Sequence, residues 1–227
     1  MSETILQRLQ TLAEPAYGDF HSRLMPTVER RLVLGVRMPH LRALAKELVG
    51  TAEGEAFLSH LPHQYYEENN LHAILTESTP NVHLCLRRLD AFLPWVDNWA
   101  TCDLMRPKAF AAHRGEVEAH LPLWLASGHE YSVRFAVKTL MDFFLEDPFF
   151  RPLHFQWVTE ACSGKYYVNT MVAWYFATAL VKREGEALSW LRQRQLPAQV
   201  HNMAIRKAVE SLRVPEERKA YLCTLRR

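Results

Sequence analysis

The chain is a succession of short amphipathic segments cut by prolines and glycines, with almost none of the two-residue alternation that marks a strand. A helix with apolar residues at i, i+3, i+4 and i+7 buries one stripe only, so many such helices in a row must stack on one another. Helices are expected over 2–13 and 16–25, with Pro15 marking a break, and from Pro39 through Leu41, Leu44, Ala45 and Leu48 to a stop at Gly50. Further helices are expected over 52–60, 64–77, 80–94, 97–111, 114–127, 130–146, 148–163, 165–182, 185–194, 198–212 and 215–225. Proline at the first helical position is expected at Thr79-Pro80, Asp147-Pro148 and Val214-Pro215, and Gly128 and Gly164 follow last turns. Short connections and the lack of a long central apolar helix favour stacked helix pairs over a globin-like or four-helix bundle.

Three segments open on tyrosine before a helical run: Tyr65-Tyr66-Glu67-Glu68-Asn69-Asn70-Leu71, Tyr131-Ser132-Val133-Arg134-Phe135 and Tyr166-Tyr167-Val168-Asn169-Thr170-Met171. They start about 66 and 35 residues apart, two units and one unit of a repeat somewhat shorter than the ~40–47 residues of HEAT units. The expected fold is all-α, an α-solenoid or superhelix of HEAT-like repeats in one domain over 1–227. The concave face of such a stack suits a rod-like ligand such as duplex DNA.

An apolar content of 48% is enough for a substantial core. No run reaches the ~18 apolar residues of a membrane span and no basic leader opens the chain, so a cytoplasmic protein with no membrane partner is expected. Cys85, Cys102, Cys162 and Cys223 are far apart in apolar helical contexts and read as free buried thiols. The eleven histidines show no metal-ligand spacing, and the Glu68–His72 pair reads as a helix-surface contact, so no metal and no cofactor are expected. With no coiled coil or exposed apolar stripe, a monomer is expected. Net charge is only +2, but residues 182–227 hold eleven Lys/Arg against five Asp/Glu, leaving the preceding 181 residues mildly acidic. That asymmetry suits one-sided binding to a polyanion, and equally a solvated surface of capping helices.

Chemistry concentrates at residues 95–103, where Trp99 and Asp103 stand one turn apart on one helix face. A carboxylate beside an indole stabilises a developing cation where bulk water is kept out. The alternative is a helix-end carboxylate paired with Arg106 or Lys108, with Asp97 and Asn98 as capping residues. Trp174 lies in a helix that is apolar nearly all round, which makes it a core residue unless its ring emerges. Tyr167, one heptad earlier, shares its side. Tyr131, Arg134 and Lys138 form a polar stripe opposite Val133, Val137, Leu140 and Phe144, suited to neighbouring phosphates or simply to solvent. Arg37, Lys108, Lys182, His201, Arg206 and Lys207 are further candidates, with Arg37, Arg42 and Lys46 reading as solvated.

Taken together, Gly35-Val36-Arg37-Met38-Pro39-x-Leu41-Arg42-x-x-Ala45-Lys46, the Tyr66-Glu67-Glu68 helix start, Trp99-x-x-x-Asp103, Tyr131-x-x-Arg134 and the Trp174 helix resemble the AlkD-type DNA alkylation repair glycosylases, in order over about residues 15–220. The resemblance implies a HEAT-like-repeat enzyme that hydrolyses the N-glycosidic bond of cationic N3- and N7-alkylated purines in duplex DNA without base flipping. It implies Asp103 as the catalytic aspartate, Trp99 and Trp174 as aromatic walls, and Arg134 as a phosphate contact. Lys138, Tyr131, Tyr167, Lys108, Arg37, Arg206 and Lys207 complete the expected DNA-binding set. The alternatives are a non-catalytic reader of DNA structure and a protein-interaction scaffold.

Overall fold

The computed structural model describes residues 3–227, and among them the chain is all-α, with fourteen α-helices and no strand. It divides into two compact units, the first ending at His113 and the second running Arg114–Arg227.

The first unit holds α1 (Ile5–Thr11), α2 (Pro15–Ser22), α3 (Met38–Leu48), α4 (Ala52–Ser59), α5 (Tyr66–Glu77), α6 (Val82–Phe92) and α7 (Trp99–Leu104). Helix α5 is its hub, packed by α3, α7, α4, α6 and α1. The start of α5 meets the start of α3, where the Glu67 carboxylate accepts from the backbone N–H of Leu34, Gly35 and Val36 at 2.8, 2.7 and 3.3 Å. Further along, Arg42 in the middle of α3 reaches to 3.7 Å from Glu77, the last residue of α5. Helix α7 repeats the arrangement, with Thr101 donating to Asn70 at 2.8 Å and the Arg106 N–H to Glu77 at 3.2 Å. Contacts that advance in the same direction along each helix make α3, α5 and α7 a parallel layer of alternate helices. Leu9, Leu41, Leu44, Leu48, Leu71, Ile74 and Leu75 fill the core beneath it. Gly35, with φ +90°, admits no side chain: a Cβ there would lie 2.3 Å from the Glu14 carbonyl oxygen.

The second unit holds α8 (Arg114–Leu125), α9 (Glu130–Phe143), α10 (Pro152–Glu160), α11 (Tyr166–Lys182), α12 (Glu184–Arg192), α13 (Ala198–Glu210) and α14 (Glu216–Thr224). Its dominant contacts again join alternate helices, α9 with α11 and α11 with α13. Glu130 accepts from the Tyr167 N–H and Thr178 reaches Met141, both across 37 residues, while Arg183 donates to the Leu145 carbonyl across 38. On the α8–α10 side, His154 meets Glu118 across 36. A constant offset along the full length of two helices is a structural repeat, here a little longer than the spacing of the tyrosine motifs.

Most expected helices form within a few residues of their expected ends. The helix expected over 2–13 occupies Ile5–Thr11 behind a Thr4/Gln7 capping box, its first expected residue lying outside the described ones. Four expectations are corrected. The helix expected over 97–111 breaks after Leu104, because Met105 turns extended, Pro107 removes a donor, and the Arg106 N–H goes to Glu77. Pro80 and Pro148 do not open helices. Asn81 caps α6 instead, and α10 begins four residues later than expected, at Pro152. Pro215 is the cap residue before α14 rather than its first helical residue. Of the free thiols only Cys85 and Cys102 are buried, and Cys223 is exposed. Finally, Glu68 and His72 make no surface pair: Glu68 accepts from the Gln64 and Tyr65 N–H groups, and His72 is buried against His63 at 2.9 Å.

Candidate active site

Helix α7 is a turn and a half long, too short to hold itself, and its form comes from side chains around it. Asn98 is fully buried and caps it by accepting from the Thr101 N–H at 2.8 Å. The Asn98 amide also donates to Asp97 and to the Thr101 hydroxyl, which in turn donates to Asn70 of α5. Asn98 is thus the capping residue expected, and it also roots α7 in the hub helix. Trp99 is half-buried on a cluster of Met25, Val28, Val33 and Tyr66, and its indole N–H donates to the Leu24 carbonyl at 3.0 Å. One turn on, Asp103 is half-buried. The ring's polar edge is committed to the chain, which fixes the orientation of its faces.

In the second unit, α11 is buried along most of its length yet leaves Trp174 40% exposed. The exposed and half-buried positions Tyr167, Thr170 and Trp174 follow one stripe. The core placement of Trp174 is therefore replaced by an emergent ring. It borders a shallow groove of about 160 Å³ with Ala177, Thr178, Lys207, Glu210, Ser211 and Arg213. Arg206, Lys207 and Arg213 are exposed and make no ion pair among the described residues, whereas Lys182, Arg183, Arg218 and Lys219 do.

The stripe on α9 is not solvated. Tyr131, Arg134 and Lys138 are 4%, 5% and 6% exposed, because α8 and α11 cover the faces that periodicity assigns to water. Arg134 donates to the Tyr167 carbonyl at 2.5 Å and to the Thr170 hydroxyl at 3.0 Å, so it lies directly under the stripe that carries Trp174. Lys138 pairs with Asp142 at 2.6 Å, and the Tyr131 ring lies 5.9 Å from that of Tyr167. Arg37 is exposed, bound through two bonds to Glu14, whose carboxyl it holds below the usual range, and stacked over Tyr17 at 4.6 Å. Lys108 is exposed, and His201 is buried, bonded to the Leu225 carbonyl.

A family model described as DNA alkylation repair enzyme matches residues 5–212, nearly the whole chain. The chain belongs to the DNA alkylation repair enzyme family. A search of curated proteins finds no match. In this alkylation-repair protein, Trp99 and Asp103 belong to the first unit, and Arg134, Tyr167 and Trp174 to the second. Sequence reasoning missed Asn70, Thr101 and the Leu24 carbonyl as the supports of α7, and Arg213 as a neighbour of Trp174. The Asn98-x-x-Thr101 capping spacing was a local signal for Thr101 alone.

Proposed function

We propose that the protein is a DNA glycosylase that hydrolyses the N-glycosidic bond of cationic N3- and N7-alkylated purines in duplex DNA, without turning the damaged base into a pocket. In a member of an alkylation-repair family, the observation that carries this reading is a half-buried carboxylate, Asp103, one turn from an indole whose orientation is locked. An alkylated purine already bears a positive charge. When its bond to C1′ breaks, the electron pair leaves with the base, which departs neutral, and the positive charge passes to an oxocarbenium-like sugar. Asp103 stabilises that sugar by charge and Trp99 by its electron-rich face, while Trp174, on the second unit, offers a further aromatic contact to the DNA. Water then adds its oxygen to C1′ and loses a proton, leaving an abasic site. Because the leaving group needs no protonation, one carboxylate suffices where ordinary glycoside hydrolysis uses two.

Phosphate binding is assigned to Lys108, Arg206 and Lys207, which are exposed, to Arg37 on release of its Glu14 partner, and to Arg134 and Lys138 with Tyr131 and Tyr167 around the α11 stripe. The test is release of 7-methylguanine and 3-methyladenine from methylated duplex DNA. Wild type is expected to release both. Asp103→Asn is expected to lose about 10²–10³ in rate while binding duplex nearly as well. Binding without release by wild type would move the assignment to a non-catalytic reader of DNA structure.

A further inference from the structure

The first unit carries an unassigned surface feature beside Trp99. Phe20 and Leu24, one turn apart at the end of α2 and just beyond it, are 59% and 46% exposed. Arg23 stands between them and is also exposed. This outward placement is built in. Met25, the next residue, is fully buried in the cluster on which Trp99 packs, and the Leu24 carbonyl accepts the Trp99 indole N–H at 3.0 Å. Burying Met25 and bonding the Leu24 carbonyl fixes the backbone so that the Leu24 side chain faces out.

The charges nearby single out Arg23. The other arginines in this stretch are neutralised: Arg30 lies 2.5 Å from Asp19, Arg31 2.6 Å from Glu29, and Arg37 2.7 Å from Glu14. Arg23 makes no ion pair among the described residues. An unpaired cation flanked by two exposed apolar side chains is poorly suited to water alone. It matches a surface that alternates anionic phosphates with apolar sugar edges, as the minor groove of duplex DNA does.

We propose that Phe20, Arg23 and Leu24 form a DNA-contacting ridge, Phe20 and Leu24 packing on the deoxyribose C–H edges of the minor groove and Arg23 binding a backbone phosphate. The proposal rests on the DNA-binding part of the reading above, and not on excision. Because Trp99 is bonded to the same peptide that aims Leu24, the ridge ties the seating of the duplex to the orientation of the indole.

The test is binding to a short duplex bearing a stable abasic analogue, measured across a salt series, for wild type, Phe20→Ala/Leu24→Ala and Arg23→Ala. The exposed side chains are expected to be removable with an unchanged unfolding midpoint. The apolar double variant is expected to bind about fivefold or more weakly at every salt concentration, giving a line parallel to wild type, because no phosphate contact is lost. Arg23→Ala is expected to lower the log–log salt slope by about 0.9. Unchanged affinity of the double variant overturns the proposal, as does an unchanged slope for Arg23→Ala. Should the double variant fail to fold, Phe20→Gln/Leu24→Gln takes its place with the same two outcomes. Absence of base release by wild type would sink the glycosylase reading while leaving this comparison intact, and absence of any duplex binding by wild type would sink the ridge.

Discussion

Trp174 and Tyr175 are adjacent on α11 and have opposite fates, the first 40% exposed and the second fully buried. A tryptophan held half in water forgoes much of the burial that the same side chain would gain in a core, so its stability contribution is small and its ring is available for binding. Trp174→Ala is expected to leave the unfolding midpoint nearly unchanged and to slow excision by about 10- to 30-fold, the worth of one aromatic contact to the DNA. Tyr175→Ala is expected to cost about 3–5 kcal/mol of stability. Urea titrations and single-turnover excision on the two variants check the pair; a large stability loss at Trp174 would return it to a packing role. Arg134 is open to the same kind of separation. If it also holds a phosphate, Arg134→Ala lowers the salt slope of binding by about 0.9. An unchanged slope with a lowered unfolding midpoint would leave it solely as the bond between α9 and α11.

At the scale of elements, the joint between α3 and α5 depends on one carboxylate. Glu67 is fully buried and accepts three backbone N–H groups, yet burial outweighs those bonds and pushes its pKa up. Glu67→Ala strands those donors and is expected to cost about 3–5 kcal/mol, against about 1–2 for Glu67→Gln, which keeps an acceptor; urea unfolding distinguishes them. The half-buried His63 and the buried His72, between α4 and α6, supply a pH dependence. His63 bonds His72 at 2.9 Å, and the rings stack on Phe57 and Phe92. Burial pushes His63 down to about 4 and His72 to about 3, from 6.5 in the unfolded chain. Between those limits the unfolded state takes up protons that the folded state refuses. The stability is therefore fully present above pH 6.5 and falls as pH drops toward 4, by at most about 1.4 kcal/mol per pH unit for each proton. His72→Gln is expected to flatten that fall, seen as a smaller shift of the urea midpoint between pH 7 and pH 5. The helices themselves were largely legible, because caps, prolines and periodicity are local: α13 was expected over 198–212 and spans Ala198–Glu210. The break after Leu104 was not, since it needs Glu77 from 29 residues earlier. The burial of Tyr131, Arg134 and Lys138 was equally hidden, because periodicity reports the face a helix prefers and not how many neighbours surround it. The Trp99–Asp103 pair could be read from its spacing, whereas Asn70 and the Leu24 carbonyl, which hold it, lie far away in sequence.

For the whole molecule, a net charge of +2 gives little attraction for a polyanion, so the placement of charge decides. The excess of eleven Lys/Arg over five Asp/Glu in residues 182–227 is itself divided by ion pairing. Lys182 meets Glu146 at 2.8 Å, Arg218 meets Glu184 at 2.5 Å and Lys219 meets Glu216 at 2.6 Å, which spends their charge within the fold. Arg206, Lys207 and Arg213 keep theirs, and two of the three line the groove beside Trp174. Removing that trio to alanine is expected to flatten the salt dependence of duplex binding by about 2–3 in log–log slope, since each released phosphate contact contributes about 0.9. Removing Lys182, Arg218 and Lys219 changes the net charge by the same amount and is expected to leave the slope nearly as it was, because their fields are already cancelled at short range. Equal flattening by both trios would mean that DNA responds to the total charge of this region, and would detach the groove beside Trp174 from the binding surface.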